Sequence, residues 1–308
     1  MKQFQYSLQP YKGVRSRFQC PNCNTKESFV RYIDLTTDSV LDPSVGRCNR
    51  EDKCGYHLKP KDFFDKNGVR IDRPVQEPHK VTHQPPSRPL FIESIVVQRS
   101  MQGYDRNNLV LYLIKVLGEN RALDVAAKYR IGTSKKWPGG TIFFQIDQKG
   151  LARRGKVMLY DPSTGRRDHN KNHSVHALLG RSHEKPAECF FGEHLLNGNN
   201  KTVCVVESEK TAVIASIYLP HCIWLACGGL SMLNYNKVKA LRKRNVILYP
   251  DLGGYKLWTE KGEIFLPKIA QSWKVSTVLE KNGTQEERKN GLDLADYLLR
   301  YKPEEFNF

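Results

Sequence analysis

The second half of the chain sorts its apolar and polar positions into short solid runs, each followed by helical spacing. Val203, Cys204, Val205 and Val206 make an unbroken apolar run of the length expected for a parallel strand buried on both faces. From Glu209 to Tyr218 apolar side chains recur at helical spacing, so Glu207, the first charge after the run, falls at the carboxyl edge of a strand just before a helix. Val246, Ile247, Leu248 and Tyr249 repeat the pattern and lead into Pro250, Asp251 and a Gly253–Gly254 turn. In open α/β sheets that edge is where ligands bind.

Earlier stretches read differently. Thr141 to Arg167 gives an apolar strand, a turn at Gln148–Lys149–Gly150, a basic strand, then Tyr160–Asp161 and a second turn around Gly165. Leu109, Leu111, Tyr112, Leu113, Val116 and Leu117 predict a mostly buried helix within a helical stretch, Ile92 to Tyr129, and Ala122 to Tyr129 predicts another. Neither carries a catalytic constellation, and both are expected to support the sheet that follows. Phe29 to Leu35, rich in β-branched and aromatic residues, predicts a strand. Between Asp65 and Pro89, Pro74, Pro78, Pro85, Pro86 and Pro89 alternate with charged and polar residues, which predicts a linker without a core.

Composition narrows the function. A chain of 308 residues with 39% hydrophobic content has room for about two domains and a real core. Lys and Arg outnumber Asp and Glu 49 to 32, a net charge of +17 that favours a polyanionic partner. Leu109 to Leu117 is too short for a membrane span and contains Lys115. The opening MKQFQYSLQPYKG lacks the apolar segment of a signal peptide, so the expected location is the cytoplasm.

In that compartment the eight cysteines are expected as metal ligands or buried thiols rather than disulfides. Cys189, Cys204, Cys222 and Cys227 sit among apolar residues and read as core packing. Cys20 and Cys23 form a two-residue-spaced knuckle, and Cys48 and Cys54 supply a wider second pair, so the four predict a structural zinc ribbon. The widened second pair leaves His57 as a substitute for Cys48 or Cys54.

Glu207 and Asp251, at the ends of neighbouring parallel strands, suit a hard divalent cation that keeps waters for a phosphate to replace. The plainer reading makes Glu207 a helix N-terminal acid and Asp251 a turn residue. Arg153, Arg154, Lys156, Arg166, Arg167 and Lys171 put six cations on one hairpin system, a surface for a phosphate backbone or a triphosphate; its plainer reading is a charged edge strand.

Together these parts resemble the DnaG-type primases, in which a zinc ribbon is linked to a core ending in a Toprim domain. Cys20 to Cys54 is similar to the ribbon, Thr141 to Arg167 to the hairpin, and Cys189 to Leu195 to the segment entering the Toprim strand. Val203 to Ala212 resembles the glutamate motif, Leu225 to Gly229 the glycine-containing connection, Leu248 to Gly254 the aspartate motif and Gly291 to Leu298 the acidic C-terminal motif. Compact primases of phages and of mobile elements in Bacteroidota have this composition of parts. The resemblance implies an α/β fold: a Toprim-like parallel sheet with flanking helices, preceded by a basic hairpin and helical subdomain and an N-terminal zinc ribbon. The implied boundaries are 1–64 for the ribbon, 65–90 for the linker, 91–195 for the helical and hairpin part and 196–308 for the Toprim-like domain.

The implied activity is primase: RNA primer synthesis from ribonucleoside triphosphates on single-stranded DNA, with a replicative helicase as a further partner. Glu207 and Asp251, helped by Asp293 and Asp296, would hold Mg²⁺ or Mn²⁺, while Arg153, Arg154, Lys156, Arg166, Arg167 and Lys210 would bind template or nucleotide. Two positions depart from the family. Gly253 stands where a second aspartate is usual, which removes a carboxylate, and Ser208 replaces a glycine. A Toprim nuclease and a catalytically degenerate single-stranded-DNA-binding protein are the alternatives. The short chain argues against a type IA topoisomerase.

Overall fold

The computed structural model describes residues 5–11, 13–51, 53–66, 90–184 and 186–306. Two compact units divide the chain, residues 1–83 and 84–308. Most of the stretch expected as a linker, residues 67–89, lies outside the described residues.

The first unit is antiparallel. It contains β1 (Tyr6–Leu8), β2 (Phe29–Asp34), β3 (Ser39–Val40), β4 (Gly46–Cys48), β5 (His57–Leu58) and α1 (Pro60–Lys66). Strand order is β1-β2-β4-β5, with β3 paired to β2. Its interior is small: Cys20, Phe29 and Cys48 are fully buried, with Phe18, Cys23, Cys54 and Tyr56 packed around them. An apolar cluster of that size is too small to hold a fold without a further crosslink or metal.

The second unit opens with three helices, α2 (Ser94–Ser100), α3 (Asn108–Leu117) and α4 (Glu119–Lys128). Asn107 caps α3 by accepting from the Val110 amide, and Leu109, Val110, Leu113 and Leu117 form the buried stripe expected from their spacing. Next comes the antiparallel sheet β6 (Gly132–Ser134), β7 (Gly140–Ile146), β8 (Ala152–Tyr160) and β9 (Arg167–Ser174), ordered β6-β7-β8-β9 and followed by α5 (Val175–Leu178). Turns at Asp147–Leu151 and Asp161–Arg166 link its last three strands, matching the predicted hairpins.

The remaining elements form a parallel sheet wrapped by helices. They are β10 (Val203–Val206), α6 (Glu209–Tyr218), β11 (Ile223–Ala226), α7 (Tyr235–Val238), β12 (Asn245–Leu248), α8 (Tyr255–Phe265), β13 (Ser272–Val275), α9 (Val278–Asn282), α10 (Gln285–Asn290) and α11 (Leu294–Leu298). The spatial order is β11-β10-β12-β13, every pair parallel. All four residues of β10 are buried, because alternate side chains enter two cores. Cys204 and Val206 pack with the α3, α4, α6 and α11 side, while Val203 and Val205 pack with Trp258 of α8 and Val238 of α7. Cys189, Cys204, Cys222 and Cys227 are all buried free thiols, as their surroundings predicted.

The strand order carries a functional consequence. From β10 the chain moves through α6 to β11 on one side, and from β12 it moves through α8 to β13 on the other. β10 and β12 are neighbours whose connections leave in opposite directions, so a crevice opens at their carboxyl ends. Glu207 directly follows β10, and Asp251 follows β12 by three residues.

Candidate functional site

In the first unit, Cys20, Cys23, Cys48 and Cys54 bring their sulfurs within 4.8 Å of one another. Two of the separations are 3.7 Å for Cys20–Cys54 and 4.0 Å for Cys23–Cys48. A tetrahedral ion with metal–sulfur bonds of about 2.3 Å requires sulfur–sulfur edges of about 3.8 Å. The four thiols therefore fit zinc. His57 is not part of the set: its Nε2 lies 3.0 Å from the Tyr32 hydroxyl and its ring stacks on Tyr32. The substitution considered for His57 is thus corrected, because β5 directs the imidazole onto β2 and away from the sulfurs.

In the second unit, Glu207, Asp251, Asp293 and Asp296 line one cleft of about 1010 Å³ at the crevice between β10 and β12. Gly228 and Gly229, after β11, and Lys210 line it too, and the antiparallel sheet contributes Tyr160, Arg166, Arg167 and His169. The cleft thus sets carboxylates from the parallel sheet and the last helix against cations from the β8–β9 turn.

Local structure fixes the acids. Ser208 caps α6, its hydroxyl oxygen accepting from the Thr211 amide at 3.1 Å, and so starts the helix behind Glu207. Thr211 Oγ1 in turn donates to Asp293 Oδ2 at 2.8 Å, tying α6 to α11. Asp293 and Asp296 form a capping box at the start of α11, and both line the cleft as well. Lys210 Nζ sits 3.9 Å from Asp296 Oδ1.

The electrostatics of the cleft call for a cation. Burial, then the charges of Glu207, Asp293 and Asp296, push the Asp251 carboxyl up to about 9. Burial raises Glu207 as well, and raises Asp296 with help from Asp293. Glu207 is 8% exposed, and its Oε1 is buried without a hydrogen-bond partner. Gly254 keeps the space beside it open: a Cβ there would stand 3.5 Å from Glu207 Oε1 and 3.0 Å from the Asp251 carbonyl oxygen. An orphaned carboxylate oxygen beside an aspartate that holds its proton so strongly is a donor set matched to a hard divalent ion. Among the described residues only the four cysteines gather three or more ligand atoms within 4.8 Å, so the acids line a basin rather than close a cage. Mg²⁺ suits such a basin, because it takes one or two carboxylates and keeps waters or phosphate oxygens for the rest.

Three of the predicted binding cations have partners within the protein. Arg153 Nε donates to Asp147 Oδ2 at 2.7 Å, and Arg154 bonds Glu188 Oε1 at 3.0 Å and the Pro186 carbonyl at 2.9 Å. Lys156 Nζ donates to Glu209 Oε1 at 2.8 Å and to the Gly228 carbonyl at 3.2 Å. β8 is an inner strand flanked by β7 and β9, and its partly exposed charged side chains are engaged by acids on neighbouring segments. Lys171 lies 5.7 Å from the Trp137 ring centroid. Of the seven cations named from the sequence, Arg166, Arg167 and Lys210 line the cleft.

Sequence reasoning missed His169, Glu287 and Asn290, which also line it. No period-2 signal marks the β9 stretch, RDHNKNHS, which is polar throughout.

Residues 4–69 match a zinc beta-ribbon finger family, and residues 107–252 match a domain of unknown function, DUF6371. The ribbon match and the sulfur geometry together support a structural zinc ion. No curated protein matches the chain. Solved structures with likeness to it include the primase fragment of the bacteriophage T7 primase-helicase protein, at 15% identity and TM-score 0.36, covering 89% of this chain and 98% of that one. The DnaG catalytic core follows at 14% and 0.43, covering 67% and 81%. The E. coli primase catalytic core stands at 13% and 0.40, covering 67% and 80%. Among the described residues no helix is long and apolar enough to cross a membrane.

Proposed function

We propose that this chain is a DnaG-type primase-like nucleotidyltransferase with a Toprim-like core, making short RNA primers on single-stranded DNA. One observation carries the reading: Glu207 and Asp251 meet at the switch point of a parallel sheet, in a cleft whose other side is cationic. Acids for a metal and cations for phosphate in one basin suit phosphoryl chemistry.

Glu207 and Asp251 would hold Mg²⁺ or Mn²⁺, with Asp293 and Asp296 within the same cleft. Such an ion would supply Lewis-acid charge to favour the 3′-hydroxylate and the departing pyrophosphate. Lys210 is held near Asp296 and adds positive charge on the acid side of the cleft. Arg166 and Arg167 extend into the cleft from the β8–β9 turn and would orient template or triphosphate by charge-assisted hydrogen bonds. Lys156, bonded to the Gly228 carbonyl, keeps the glycine turn after β11 in position as part of the floor. The zinc ribbon would hold template, and a replicative helicase would dock on the outer surface.

A second reading, a Toprim-derived binding protein without turnover, draws on Gly253, which leaves one carboxylate fewer beside Asp251. Primer synthesis with labelled ribonucleotides and Mg²⁺ or Mn²⁺ on single-stranded DNA separates the two. Oligomers lost in both Glu207→Gln and Asp251→Asn support the primase reading. DNA binding without synthesis or cleavage, unchanged in chelator, supports the binder, and Mg²⁺-dependent template degradation supports a nuclease.

A further inference from the structure

The edge strand β9 carries an insertion that its neighbour does not. Met158 pairs with Asn172, but Tyr160 pairs with Arg167, so residue 159 of β8 faces residues 168–171 of β9. The extra residues leave the ladder as a bulge, pinned by the Asn170 amide donating to Asp168 Oδ1 at 2.9 Å. Bulges of this kind re-aim side chains at the rims of sheets. Here the re-aimed side chain is His169, which the bulge carries to the cleft wall beside Arg166 and Arg167.

Arg167 decides the state of that imidazole. Its Nη2 lies 3.0 Å from His169 Nδ1. A guanidinium only donates, so Nδ1 accepts and the remaining proton of the neutral ring sits on Nε2. His169 therefore offers one N–H donor and no acceptor, next to two guanidiniums with the same property. A wall of donors complements a group made only of acceptors, and in a cleft that carries metal-type carboxylates that group is a phosphoryl oxygen.

We infer that His169, in the Nε2–H form set by Arg167, is a phosphoryl-oxygen contact that orients a polyphosphate in the cleft. Arg166 and Arg167 supply charge, while His169 supplies a directional N–H bond. The inference deepens the proposed function and rests on it for the source of the phosphate, either a nucleoside triphosphate or the template backbone.

Two binding measurements on the full chain test it without turnover. Inorganic tripolyphosphate is titrated calorimetrically, and single-stranded DNA by fluorescence anisotropy, against the native chain, His169→Ala and His169→Gln. Glutamine keeps a donor near the Nε2 position. The expected result is a 5- to 10-fold weaker tripolyphosphate affinity in His169→Ala, roughly the net loss of one ordinary hydrogen bond at an exposed position, with recovery in His169→Gln and unchanged DNA affinity. A loss confined to DNA, again rescued by glutamine, assigns the same bond to the template backbone. Unchanged binding of both probes in His169→Ala overturns the inference, as does a loss that glutamine fails to rescue. Failure of the native chain to make primers would overturn the primase reading and leave these binding results standing. Where primers are made, His169→Ala should raise KM for the ribonucleotide more than it lowers kcat.

Discussion

Lys156 and Glu209 form an ion pair at 2.8 Å that joins the antiparallel sheet to the helix behind the acidic cleft. The Glu209 side chain is 4% exposed and that of Lys156 29%. Removing the lysine leaves a carboxylate buried without its cation, which costs more than the pair contributes. Lys156→Ala should therefore lose about 2–4 kcal/mol of stability in denaturant unfolding. Lys156→Met with Glu209→Gln should recover much of it.

The same geometry separates two classes of arginine. Arg166→Ala and Arg167→Ala should weaken single-stranded DNA or nucleotide binding, each lowering the salt dependence of DNA affinity by about one ion where it contacts a backbone phosphate. Arg153→Ala and Arg154→Ala should reduce stability through loss of the Asp147 and Glu188 partners and leave that salt slope in place. Equal slopes in all four variants would contradict the division.

Asp251 makes stability depend on pH in a defined direction. Its folded carboxyl binds a proton up to about 9, whereas an unfolded aspartate releases it at about 3.9. Between these limits the folded chain holds more protons, so metal-free stability falls as pH rises through the window. Asp251→Asn removes the titrating group and should have the higher Tm in chelator at pH 8, by about 2–4 °C for each kcal/mol regained. Mg²⁺ competes with the proton, so its stabilisation of the native chain should grow from pH 6 to pH 9 and vanish in Asp251→Asn. Native Tm independent of pH and Mg²⁺ would rule out this arrangement.

Zinc gives a cleaner test of the ribbon. The chain should bind one zinc ion, and Cys20→Ser or Cys48→Ser should release it, because each removes a buried sulfur from a set that a cluster of this size needs to stay folded. His57→Ala should retain the metal, since its imidazole bonds Tyr32. Metal content by atomic absorption after gel filtration separates the two outcomes.

Legibility in the sequence followed physical locality. β10 and β12 were legible because strands buried on both faces must be solid apolar runs, and the acids after them follow from the run's end. The cysteine cluster was legible because metal ligation constrains spacing. The fate of Arg153, Arg154 and Lys156 was not, because their partners Asp147, Glu188 and Glu209 come together only when β8 takes an inner position in its sheet. His169 was hidden for a related reason: a bulge in an all-polar edge strand leaves no periodic trace, and its tautomer depends on a bond formed after folding.

Gly253 occupies a position where a carboxylate is not simply added. Its φ is +96°, a conformation that disfavours any Cβ, and its amide donates to Glu280 Oε1 at 2.9 Å. A Cβ at this position would stand 3.4 Å from Arg288 Nη1, and Arg288 is itself paired with Glu280. An aspartate here would meet a guanidinium, pair with it and compete with Glu280, while incurring about 1–2 kcal/mol of backbone strain. Gly253→Asp should therefore lower stability without adding a second Mn²⁺ to the cleft. Gly253→Asp with Arg288→Ala frees the new carboxylate and is the variant in which a second ion should be gained. Calorimetric titration with Mn²⁺ counts the ions: a second ion in the single variant would mean that the cleft already tolerates both, and that Arg288 does not guard the position.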